Sequence, residues 1–323
     1  MKSAKDIEIR TDYRIELLSL IAFLSKLDDK WTIDRSDNSF TKLLRDNFTK
    51  FVNHKAVVEF PKMWDKGLCW DAIPFLALHL DNNFSFIDKN TISKRLISRY
   101  DGDFDEVIRY LASIQDFASI TNFKQFYDSN INDKFIAEVN AKTQEYPIIN
   151  ILEKYLNLKL NDSTVIMSNL FISSFGITME TNKRKQIYCV ISGYSLKVSQ
   201  QHDAFDRLLL SIIWHEFLHS IINPLSDKLF KNPLEMTDNQ VKWYCNLNES
   251  IIWAITFRLL LKEKVVVEKD GEWYFKNALN NGAPKANAMN ILLIEYENDA
   301  TKYDNFKDFY TILQEEFGNP PSE

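Results

Sequence analysis

The rhythm of apolar and polar positions changes twice along this chain. "DYRIELLSLIAFLSKL", residues 12–27, has apolar residues at helical spacing and predicts an amphipathic helix with Asp12 as its N-cap. Before it, "KDIEIR" within residues 1–10 reads as a short strand or extended arm. Helical patterns with short polar breaks continue over 40–54, 71–81, 89–100, 102–118 and 131–158, with local breaks at Pro61 and Pro74. Near residue 162 the texture turns β-rich. "STVIMSNLF", "FGITMET" and "QIYCVIS" predict antiparallel strands, and "TNKRK" at 181–185 reads as a turn. Helices follow over 203–222 and 238–262, the first stopped by Asn223-Pro224. "KVVVEKDGEWYF" at 264–275 reads as a hairpin with an Asp-Gly turn, and a last amphipathic helix covers 303–316. There is no repeat, low-complexity segment or Gly/Ser/Pro-rich linker. The expected architecture is therefore helix-rich α+β with a small antiparallel or mixed sheet. A mainly helical part covers 1–160 and a mixed part covers 161–323, integrated as one unit.

Within that pattern one stretch is out of place. "LLLSIIWHEFLHSIINP", 208–224, is almost continuously apolar, yet His215, Glu216 and His219 sit in its middle. Burying three such groups costs free energy unless something pairs with them. On a helix, residues four apart lie about 40° apart on one face. Two imidazoles at that spacing can converge on one metal ion, with Glu216 beside the open coordination position to act on a bound water. A catalytic zinc of this kind needs a third protein ligand. In the His-Glu-x-x-His-x-x-Gly-x-x-His pattern the glycine would fall at Ile222 and the third histidine at Leu225, so the sequence argues for a carboxylate from a second helix. Glu249 in "WYCNLNESIIWAITFRLL" lies among mostly apolar neighbours and is the favoured ligand. Glu235, in the polar, Pro-flanked "NPLEMTD", is the competitor. His54, His79 and His202 are candidates by residue type alone, and two satisfied core histidines are the bland reading of the motif.

Composition narrows the remaining classes. Hydrophobic residues make up 45% and charged residues 26% of 323, with net charge −6 and no Lys/Arg block. A nucleic-acid or anionic-membrane partner is disfavoured. The three cysteines, Cys69, Cys189 and Cys245, are far apart and read as small core residues rather than a disulfide framework. The first residues carry no secretory leader as they stand, and no membrane span is expected.

"HEFLHSIINP" resembles the gluzincin class of zinc metallopeptidases. More narrowly, it is similar to a bacterial family, common in Bacteroidetes, known only as a domain of unknown function. "TDYRIELLSLIAFLS" resembles that family's N-terminal segment, with Tyr13 in place of a proline. "FTKFVNHKAVVEF" resembles its Phe…His-x-x-Val stretch, which includes His54. "NESIIWAIT" resembles its second-helix Glu motif, with Trp253 where an arginine is expected. The resemblance implies a zincin-like core, peptidase activity and, for many members, export or lipid anchoring.

The expected function is zinc-dependent peptide hydrolysis. One Zn2+ is held by His215, His219 and Glu249, with Glu216 as general base and a peptide or protein as substrate. Oxyanion or cleft candidates are Tyr244, Tyr274, Tyr194 and His202, with Asn223 as a residue that shapes the site or simply ends the helix. "QIYCVISGYS" reads either as an edge strand for an extended peptide or as an ordinary internal strand. Two rivals stand beside this reading. One is a binding protein on the same fold that recognises a peptide or glycan without cleaving it. The other is a structural domain with a closed four-ligand metal site.

Overall fold

The computed structural model describes residues 7–30, 32–88, 96–97, 100, 104–130, 133–160, 162–181, 184–193, 196, 204–230, 235–299, 302–303 and 305–321. The fold is helix-rich α+β. The elements run β1 (Glu8–Arg10), α1 (Tyr13–Leu24), α2 (Ser39–Phe48), α3 (Lys55–Asp65), α4 (Ala72–Leu78), α5 (Phe104–Thr121), α6 (Phe123–Asn130), α7 (Asp133–Glu145) and α8 (Ile148–Leu156). Strands β2 (Asp162–Ser168), β3 (Phe175–Thr181) and β4 (Arg184–Ser192) follow. The chain ends in α9 (Phe205–Leu229), α10 (Asp238–Lys262), α11 (Gly271–Asn280), α12 (Ala286–Asn298) and α13 (Phe306–Phe317).

These elements fall into two compact units that interleave along the chain. One comprises residues 8–141 and 164–201; the other comprises 1–7, 142–163 and 202–323. The strands thus group with the N-terminal helices, and the first is called the sheet unit and the second the histidine unit.

In the sheet unit, the four strands form one mixed sheet of order β1-β2-β4-β3. β1 pairs parallel to β2, Glu8 opposite Thr164, and β3 pairs antiparallel to β4, Gly176 opposite Cys189. β4, the run that could have offered an edge, is internal. α1 packs on α3, α4 and α6 and is buried nearly all round, with Leu17, Leu18, Leu20 and Ile21 fully enclosed. Asp12 caps it as the sequence predicts, accepting the Arg14 N–H. Pro61 and Pro74 do not break helices. Pro61 sits inside α3, where Phe60 and Met63 anchor the turn on the core. Pro74 lies in the first turn of α4, where its missing N–H has no helical acceptor to lose. The 89–100 helix falls largely outside the described residues, as does part of the 181–185 turn.

In the histidine unit, α9 and α10 are packed helices of 25 residues each, with α12 against α10. The predicted 131–158 helix is two helices parted at Pro147: α7, most of which belongs to the sheet unit, and α8, which belongs to the histidine unit. Pro224 does not end α9, which continues to Leu229 because Leu225 and Ser226 are buried. Ser226 Oγ sits 2.5 Å from Tyr310 Oη on α13 and also bonds Asn248 on α10, so tertiary contacts outweigh the missing backbone bond. The 264–275 hairpin is absent: a short 3-10 turn leads into α11 instead. There Tyr274 is enclosed by Trp253, Phe257 and Phe275, burial a two-stranded hairpin would not give. A Cβ on Gly271, the first residue of α11, would stand 3.2 Å from the Phe257 ring. By length and composition α9 could cross a membrane, but 56% of that window is buried inside the protein, as in a core helix.

Candidate metal centre

α9 and α10 build the site. α9 is enclosed on most sides by Leu209, Ile213, Trp214, Phe217, Leu218 and Ile222. Its polar residues include a row at every fourth position: Arg207, Ser211, His215, His219, Asn223 and Asp227. The first five are half-buried and Asp227 is exposed, so the row forms a slowly winding open strip on a core helix. α10 carries a matching strip of Lys242, Cys245, Asn246, Glu249 and Trp253 between its buried positions. Its N-terminus is fixed by a capping box between Thr237 and Gln240.

Where the strips meet, three ligand atoms from His215, His219 and Glu249 all lie within 4.8 Å of one another. His215 Nε2 stands 3.4 Å from Glu249 Oε2, and His219 Nε2 stands 3.4 Å from Glu249 Oε1, so each imidazole faces its own carboxylate oxygen. The rings are 5.0 Å apart, nearly perpendicular. Ligands at 2.0–2.2 Å around a tetrahedral zinc ion stand roughly 3.3–3.6 Å from each other. Each imidazole Nε2 stands at such a separation from one of the two Glu249 oxygens, and two imidazoles with one carboxylate are a donor set whose chemistry fits zinc. Among the described residues it is the one group of three or more His, Cys, Asp or Glu side chains with this convergence.

Burial alone would raise the pKa of Glu249. The hydrogen bond and charge of His215, the charge of His219 and a hydrogen bond from Trp253 outweigh it and hold the carboxyl below its usual range. Trp253 therefore does more than fill the place of an arginine. Its ring packs at 5.6 Å on His215, while Tyr274 packs on Trp253 from behind at 5.1 Å. Its position four residues after Glu249 was the sequence signal for this contact. Asn223 Oδ1 lies 3.5 Å from His219 Nδ1, the ring nitrogen turned away from Glu249. An acceptor there favours the tautomer whose Nε2 lone pair is available to a metal. Glu216, next to His215, is buried at 8% exposure.

The remaining candidates separate clearly. Tyr244 donates to Asp227 at 2.5 Å, with the Asn223 carbonyl 3.4 Å away, and so ties the end of α9 to α10. Burial and then Asp227 push its phenol pKa up. Tyr274 is enclosed among aromatic rings, and burial pushes its pKa up as well. Glu235 is exposed and is not part of the ligand group. Tyr194 and His202 lie outside the described residues. In the sheet unit, His54 caps α3 and contacts Asp116, and buried His79 donates through Nδ1 to the Phe75 carbonyl at 2.8 Å. Of the cysteines only Cys189 is a core residue; Cys69 is half-buried and Cys245 is exposed, one turn before Glu249.

Residues 7–314 match the family described as "Domain of unknown function (DUF4932)". The chain belongs to that family. The match takes in both units, so the His-His-Glu triad and the mixed sheet both fall within the DUF4932 region. No curated protein and no solved structure matches the chain.

Proposed function

We propose that this DUF4932 protein is a zinc-dependent metallopeptidase of gluzincin type with a zincin-like core. The observation that carries the reading is the convergence of His215, His219 and Glu249 within 4.8 Å at zinc-like spacing. A zinc ion there would lower the pKa of a bound water to about 7 and polarise a substrate carbonyl. The two imidazoles would hold it through Nε2, with Glu249 as the third, anionic donor. Glu216 serves as general base. It accepts a proton from the attacking water and returns it to the amine nitrogen as the peptide C–N bond breaks. The test is metal analysis with peptide-library digestion, with and without chelator. Glu216→Gln should keep its zinc and lose chelator-sensitive cleavage. Unchanged cleavage would remove Glu216 from the mechanism.

A further inference from the structure

The open strip on α9 does not stop at the triad. Two turns before His215 it reaches Arg207, whose guanidinium carbon lies 5.2 Å from the centroid of the Trp273 ring. Trp273 is the neighbour of Tyr274 on α11 and is 56% exposed, a large apolar surface left in solvent. Arg207 has no carboxylate partner among the described residues. The adjacent Asp206 carboxylate bonds Lys142 instead, at 3.3 Å. Between Arg207 and His215 the strip is lined by Ser211, half-buried, with Leu208 and Ile212 beside it. Arg207 is half-buried, lies over an exposed indole, and has no hydrogen bond or ion pair from its guanidinium among the described residues. That is the arrangement that recognises a carboxylate through paired hydrogen bonds.

From these contacts we infer that Arg207 and Trp273 form a recognition subsite for a carboxylate on the peptide substrate. The inference rests on the metallopeptidase reading for what happens at the triad, but the subsite's own chemistry does not depend on it. Eight helical residues separate Arg207 from His215, about 12 Å along the axis. An extended peptide covers that distance in roughly three to four residues. The carboxylate is thus a few residues from the bond at the triad, as an Asp or Glu side chain or as the free C-terminus. Leu208 and Ile212 give the intervening residues an apolar floor.

Four random octapeptide pools labelled with an uncharged BODIPY dye test this: free acid or C-terminal amide, each with or without Asp and Glu. They are mixed with the full-length, zinc-loaded protein, and both anisotropy and cleavage are read. Carboxylate-bearing pools should bind at least about tenfold more tightly than the neutral amide pool, the scale of a charge-assisted hydrogen-bonded pair. The arms then show whether terminus or side chain supplies the group. Arg207→Gln should bring that ratio to about one, Arg207→Lys should restore part of it, and Trp273→Ala should reduce it. A ratio that persists in Arg207→Gln overturns the subsite, as does equal binding of all four pools. Carboxylate-dependent binding with no cleavage of any pool leaves the subsite standing and removes the peptidase reading.

Discussion

Two histidine–carboxylate contacts in this protein look alike by distance and differ in what surrounds them. In the sheet unit, His54 Nε2 stands 3.0 Å from Asp116, whose side chain is 66% exposed. His54 Nδ1 accepts the Ala56 N–H, and its ring packs on Phe117. Each part of that imidazole has a structural task, and water solvates the carboxylate. In the histidine unit, Glu249 is only 27% exposed and faces two imidazoles, each through Nε2. Two other enclosed carboxylates are matched by permanent cations. Asp12 sits between Arg10 and Arg14, and Glu297 accepts a two-pronged bond from Arg258. Glu249 has partners that are cationic only when protonated. On the proposed reading, the difference between a structural histidine and a metal ligand lies in what else the carboxylate can pair with.

Glu249→Ala breaks this comparison most severely. The purified variant should lose its zinc by elemental analysis, while Asp116→Ala keeps it. If Glu249→Ala retains stoichiometric metal, the triad is not the ligand set. Next in size is Asp12→Asn, which keeps the cap but removes the charge from a site where Arg14 is mostly buried. It should lower stability by about 3 kcal/mol in denaturant melts at neutral pH. Burial pushes the Asp12 carboxyl up, but Arg14 and Arg10 outweigh it and hold its pKa below the usual value. The charge therefore stabilises the fold above pH ~4, and that contribution fades as pH falls through the lowered folded-state value. The gap between wild type and Asp12→Asn should close in acid. A gap that is constant with pH would mean that Asp12 acts by shape and not by charge.

The same contrast explains what was legible in the sequence. The convergence of His215, His219 and Glu249 could be read because polar groups in an apolar run demand partners and Glu249 interrupts a second such run. Asp12 could be read as a cap from its place before a periodic stretch. Two of the failures share one cause. Pro224 and "EKDGEWY" carry strong local signals for a stop and a turn, yet burial of Leu225, Ser226 and Tyr274 overrides them. The roles of Trp253 and Asn223 depend on which way a ring or an amide turns. Spacing gives the face of a helix but not that rotation.

Asn223→Ala probes that hidden layer. If Asn223 orients His219, its removal should weaken zinc affinity by about tenfold in a chelator competition, with little change in melting temperature. Unchanged affinity would make the 3.5 Å contact incidental.

The smallest effect belongs to His54, and it closes the comparison from the structural side. His54→Ala removes the N-cap of α3 and the ring packed on Phe117. Loss of a cap costs about 1 kcal/mol, or roughly 2–4 °C in a chain of this size. The paired Asp116→Ala should cost no more than about 0.5 kcal/mol, because that carboxylate is mostly in water. Neither change should alter zinc content. His54→Asn, which can cap the helix but cannot reproduce the ring, should recover most of the cap contribution and leave only the packing loss. If His54→Ala instead reduced bound zinc, the two histidine–carboxylate pairs would not be independent, and the division into structural and metal-holding imidazoles would fail.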